Sequence, residues 1–134
     1  SSAMQGVGRQ FLRFCLVGGI GFLVDAGTLL LLLHVGLDRY VGRVISYLVA
    51  ATVTWLLNRL YTFDSTAPQA LHRQWARYVA VNAAGAGINY LVYAGSMLAS
   101  DTLYRHPVLA VAAGSAVALL FNFAANRWLV FARA

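Results

Sequence analysis

The chain has 134 residues, 60% of them hydrophobic and 10% charged, with a formal net charge of +6. A soluble domain carries roughly a quarter charged residues, so four Asp, ten Arg, no Glu and no Lys exclude a soluble enzyme, a disordered tail and a disulfide scaffold. What remains is a small all-α integral membrane protein. The arginines stand singly beside apolar segments, a pattern of membrane orientation and not of nucleic-acid binding. The single Cys15 forms no intrachain disulfide.

In chain order, residues 1–9 read as an N-terminal tail. Its opening Ser1-Ser2-Ala3-Met4 has the look of an expression scar ahead of a native Met4. Residues 10–134 read as one membrane domain with four transmembrane helices near 11–35, 41–63, 75–99 and 107–131, each of about the length a bilayer requires. The first contains a single charge between residues 14 and 33, Asp25. The second is uncharged over 44–57 and ends in Asn58-Arg59-Leu60-Tyr61-Thr62-Phe63. A polar linker, 64–74, carries Pro68. The third span is uncharged over 78–100 but interrupted by Asn82 and Asn89, and the fourth contains Asn122 and is followed by Asn126-Arg127.

With both termini in the cytoplasm, the inner side holds Arg9, Arg13, Arg59, Arg73, Arg77, Arg127 and Arg133, and the outer side Arg39, Arg43 and Arg105. This excess inside sets the expected topology, with the linker cytoplasmic.

The chain also repeats itself. Arg13-Phe14-x-x-Val17 recurs as Arg77-Tyr78-x-x-Val81, with Gly21 matching Gly85 and Asp25 matching Asn89. Asn58-Arg59 recurs as Asn126-Arg127 at an offset four residues longer, which places the extra residues in the second outer loop. The expectation is two parallel helical hairpins, 11–63 and 75–131, related by an axis along the membrane normal. At the longer offset Ser46-Ala50-Thr54-Asn58 matches Gly114-Ala118-Asn122-Asn126. Small residues at this spacing are read as helix-packing seams.

Two groups of residues could carry chemistry. Asp25, about 18 Å along the helix from Arg13, sits near the bilayer centre. There an ionisable group marks a proton relay, an arginine partner or a hydrogen-bonded structural acid. Asp25, Asn89 and Asn122 form the expected polar path. Arg59 and Arg127, with Asn58 and Asn126 and with Arg13 and Arg77 at the repeat starts, lie at the inner headgroup level. Such arginines ordinarily set topology and snorkel, but guanidinium forks also bind phosphate oxygens, so these six residues form the candidate lipid-phosphate site. His34, His72 and His106 are scattered, and there is no nucleophile–base pair, phosphate-cradling loop or metal-ligand cluster. No enzyme activity, cofactor or metal is expected.

Phe11-Leu12-Arg13-Phe14 with Val17-Gly18-Gly19, then Asp25 and Asn58-Arg59-x-x-Thr62-Phe63, resembles the GtrA-like family of small four-helix bacterial membrane proteins. Arg77-Tyr78 and Asn126-Arg127-x-x-x-Phe131 fit the same pattern from residue 10 onward. Val130 departs from it, standing where the first copy has Thr62. The resemblance implies flipping of a polyprenyl-phosphate-linked sugar, such as undecaprenyl-phosphate-glucose, across the bacterial inner membrane for envelope polysaccharide (O-antigen) modification. It also implies a membrane glycosyltransferase as partner. The remaining partner expectations are membrane lipids, no nucleic acid, and a homodimer or higher oligomer, because one small bundle encloses little volume. Two other functions are compatible with the spans. One is a non-transporting anchor that recruits the glycosyltransferase, against which the short linker weighs. The other is a small multidrug-type exporter, a class that typically uses Glu where this chain has Asp25.

Overall fold

The computed structural model describes residues 2–64 and 70–132, with side chains from residue 6. Pro68 of the expected linker and Arg133 of the inner arginines lie outside the described residues. Those residues form α1 (Ser2–His34), α2 (Arg39–Leu57), α3 (Leu71–Ala99), a short α4 (Asp101–Arg105) and α5 (Pro107–Ala125). Helices α2 and α5 each run on into a π-helical turn, Asn58–Thr62 and Asn126–Val130. There is no strand among the described residues.

Among the described residues, three stretches are long and apolar enough to cross a bilayer: Gly6–His34, Arg39–Thr62 and Pro107–Val130. They expose Leu12, Leu16, Phe22, Leu23, Leu30, Leu31, Val44, Val111 and Leu120, side chains that lipid solvates and water does not. Helix α3 is 29 residues long, but Arg73, Gln74, Arg77, Asn82 and Asn89 dilute its apolar run.

Two boundaries differ from the sequence reading. Helix α1 begins at Ser2, so residues 2–9, expected as a tail, continue the first helix; without a Pro to break it, the added turns propagate from a helix already formed. Helix α3 starts at Leu71, inside the expected 64–74 linker, where the Ala70 carbonyl accepts from the Arg73 and Gln74 amides at 3.1 Å each.

The chain divides into two units, one holding the residues through Trp75 together with Phe131, the other Ala76–Val130. In the first, a tight turn joins α1 to α2. The Gly36 amide donates to the Leu33 carbonyl and the Leu37 amide to the Leu32 carbonyl, at 3.1 and 3.0 Å. Gly36 adopts φ +92°, which a side chain would resist. Asp38 then caps α2, its Oδ2 accepting from the Tyr40 and Val41 amides at 3.0 Å each.

The hairpin closes along small residues. Gly42 lies under Leu29, and Gly21 gives the Thr54 methyl its seat. Ser46, Ala50, Thr54 and Asn58 form a buried stripe on α2 and its π turn, and for Ser46 and Ala50 this is the packing role read from their spacing. Phe14, Trp55 and Phe63 are buried at the other end. Phe63 meets Phe14 edge-on at 6.1 Å and stacks on Phe131 at 5.0 Å.

In the second unit, α3 and α5 fit together through reciprocal seats. Asn122 of α5 lodges on Gly85, and Asn89 of α3 on Gly114. Ala110, Gly114, Ala118 and Asn126 are buried. The short α4 lies between α3 and α5. Ser100 caps it, its Oγ accepting from the Leu103 amide at 3.3 Å, and Pro107 starts α5 where no backbone donor is required.

Candidate functional site

The end of the first unit that holds Phe14, Trp55 and Phe63 is organised by the π turn Asn58–Thr62. The wider turn makes the Phe63 amide donate back to the Asn58 carbonyl at 2.8 Å. The Thr62 hydroxyl donates to Asn58 Oδ1 at 2.8 Å. Asn58 is thus a satisfied buried amide. Arg59, next to it, donates from Nη1 to Gln74 Oε1 at 2.6 Å. The same oxygen accepts from Trp55 Nε1 at 3.0 Å, and Gln74 is fully buried. A neutral acceptor therefore orients the half-buried Arg59 guanidinium without cancelling its charge.

Arg13 of α1 reaches the same turn. Its Nη1 donates to the Tyr61 carbonyl at 3.0 Å, and its guanidinium lies 4.6 Å from the centre of the Tyr61 ring, a cation–π arrangement. Trp75 secures the start of α3 by donating to Thr52 Oγ1 at 3.0 Å. The π turn thus brings together Arg13, Asn58 and Arg59 of the sequence-predicted residues. Gln74 was absent from that prediction. A polar residue between Arg73 and Trp75 carries no periodic signal that marks it as buried.

The second unit has the same Asn-Arg pair in its own π turn, with different bonding. Asn126 Nδ2 donates to the Asn122 carbonyl at 2.6 Å, while Asn126 Oδ1 and Asn122 Oδ1 are buried with no hydrogen-bond partner among the described residues. Val130 occupies the place of Thr62 and has no hydroxyl to offer. Arg127 lies 5.4 Å from the Trp128 ring, and Arg77 is exposed on α3.

Asp25 has an ionic partner. Nη1 of Arg43 lies 2.8 Å from each of its carboxylate oxygens and 3.4 Å from Ser46 Oγ. The Ser46 hydroxyl in turn donates to the Arg43 carbonyl at 3.1 Å. Of the options the sequence left for Asp25, this geometry matches the arginine partner. Asn89, which matches Asp25 in the sequence, meets no such cation among the described residues: it packs against Gly114, and Val111 stands at the sequence position that matches Arg43. The Asp-to-Asn difference therefore goes with the presence and absence of an arginine. Among the described residues no group of three metal-ligating side chains occurs.

Long apolar helices with lipid-type exposed faces, carrying arginines held at a helix end and an ion pair beside a small-residue seam, define an integral membrane protein. It belongs to the GtrA/DPMS transmembrane domain family, whose model matches residues 13–131. The match runs from Arg13 through Phe131 and so bears out the GtrA-like resemblance.

Proposed function

We propose that the protein flips a polyprenyl-phosphate-linked sugar, such as undecaprenyl-phosphate-glucose, from the inner to the outer leaflet of a bacterial cytoplasmic membrane. The observation that carries this reading is Arg59: a cation at the end of an apolar span, oriented by a buried neutral glutamine and flanked by Arg13 at the same turn. A guanidinium held in place and still charged is what a lipid phosphate requires, since charge-assisted hydrogen bonds are about twice as strong as neutral ones. Arg127 with Asn126, and Arg77, supply the corresponding groups of the second unit. Asp25, Asn89 and Asn122 are the polar groups offered to the headgroup within the membrane.

In this reading α3 is the fourth span, and both termini with the 64–74 segment face the cytoplasm, as the seven-to-three distribution of arginines favours. The two hairpins are repeats of one unit. Matching seats support this: Gly21 with Thr54, and Gly85 with Asn122, stand at equivalent positions. The protein carries no catalytic group of its own. A membrane glycosyltransferase supplies the lipid-linked sugar, and a homodimer or higher oligomer encloses the headgroup while the prenyl tail stays in lipid.

Transport separates this function from recruitment of the transferase. Vesicles containing the purified protein and a lipid-linked sugar, with no transferase, should expose the inner-leaflet sugar to an external modifying enzyme. Exposure no faster than in protein-free vesicles would rule out flipping by this chain and leave the recruiting role.

A further inference from the structure

We propose that the Asp25–Arg43 pair is a headgroup clamp, in which Arg43 takes the phosphate of a sugar-phosphate lipid and the released Asp25 carboxylate accepts hydrogen bonds from the sugar hydroxyls. The clamp deepens the flipping reading and rests on it.

Three observations support the clamp. The first is its asymmetry. The second hairpin closes at the equivalent place with Asn89 on Gly114 and Val111 in place of Arg43, so the packing of such a hairpin needs no charge there. Ionisable groups inside a membrane are costly and mark functional positions.

The second is geometry. Asp25 engages Arg43 through Nη1 alone, which leaves the Nε–Nη2 edge of the fork without a partner among the described residues. That edge is the one a phosphate grips with two parallel hydrogen bonds. A phosphate can therefore dock before the carboxylate leaves, and no bare charge is exposed during the exchange.

The third is access. The Arg43 side chain is 56% exposed and that of Asp25 23%, while Ser46 beneath them is fully buried and tethers the arginine. Val41, Val44 and Ile45 around Arg43 are exposed, an apolar margin suited to a lipid-borne phosphate and not to a soluble ion. An ionised carboxylate accepts hydrogen bonds and donates none. Once Arg43 turns to phosphate, the hydroxyls of an adjoining sugar are the donors Asp25 requires.

The experiment compares binding of undecaprenyl phosphate and of its glucosyl ester to the purified full-length protein, with helicity monitored by circular dichroism. The wild type should prefer the glucosyl ester. Asp25→Asn should bind bare undecaprenyl phosphate about two- to fivefold more tightly, because a part-exposed ion pair no longer competes, and should lose the preference for the sugar. Arg43→Gln should weaken both lipids roughly ten- to hundredfold, the loss of a charge-assisted contact, and Arg43→Lys should restore part of that. Asp25→Ser serves the same comparison if the amide variant loses helicity.

An Asp25→Asn variant that keeps the sugar preference, or binds both lipids more weakly, would overturn the clamp. So would inorganic phosphate displacing the lipid at equal concentration. Wild-type protein that binds neither lipid would overturn the flipping reading along with it. Wild-type binding weakened by Arg59→Gln, together with an unchanged preference in Asp25→Asn, would overturn the clamp alone.

Discussion

Thr62 and Val130 occupy matching places after the two Asn-Arg pairs, and one oxygen atom separates their consequences. Thr62 donates to Asn58 Oδ1, whereas Asn126 Oδ1 is left buried without a donor. An unmade buried hydrogen bond costs about 1–3 kcal/mol. Val130→Thr should therefore raise stability by about 1 kcal/mol, read as a higher unfolding temperature in detergent, and Thr62→Val should lower it by a similar amount. Gln74 offers a second test. Gln74→Leu strands the Trp55 indole N–H and an Arg59 donor and should cost about 1–3 kcal/mol. Gln74→Glu should keep the fold but weaken lipid-phosphate binding, because a carboxylate neutralises the guanidinium that the glutamine only orients. The arginines and asparagines of this end were legible in the sequence, since an Asn-Arg pair recurring after an apolar run is conspicuous. Gln74 was not, because its burial depends on Trp55 and Arg59 folding over it from another helix. Nor did the sequence distinguish an arginine partner for Asp25 from other partners. That choice depends on the facing of α1 and α2, which the turn at Gly36 and Asp38 sets.

Helix positions were readable from the apolar runs, and the small-residue register on α2 gave its buried face correctly. The two π turns were not readable, because a π turn changes hydrogen bonding by one residue without altering composition. They contain the two Asn-Arg pairs, Asn58-Arg59 and Asn126-Arg127. The helical glycines sort into two kinds. A Cβ at Gly114 would run into the backbone and side-chain oxygens of Asn89, while at Gly18 and Gly87 it would meet nothing within 4 Å. Gly114→Ala should thus destabilise the protein by about 1–3 kcal/mol through overpacking. Gly18→Ala and Gly87→Ala should be neutral or stabilising by up to about 1 kcal/mol through helix propensity. Thermal unfolding of the three variants in one detergent checks the order. An equal loss in all three would show that helix approach at Gly114 does not hold the second unit together.

Across the whole chain, composition excluded every soluble class, and the family match over residues 13–131 agrees with the membrane reading. The proposed fourth span rests on the uncharged stretch 78–100, and the proposed orientation on arginine placement. Single cysteines in a Cys15→Ala background test them: Ala70→Cys should resist an impermeant thiol reagent applied to intact cells, and Thr102→Cys should react. Labelling of both would show that α3 does not cross. The central claim is movement of a lipid-linked sugar phosphate with Arg59 holding the phosphate, and the most direct measurement is the rate of that movement in transferase-free proteoliposomes carrying wild-type, Arg59→Gln or Arg59→Lys protein. The wild type should expose the sugar rapidly, Arg59→Gln should lose roughly ten- to hundredfold of that rate, and Arg59→Lys should recover it in part, since a point charge cannot reproduce the fork. Equal rates in the wild type and Arg59→Gln, or a wild-type rate no higher than that of empty vesicles, would contradict the central claim.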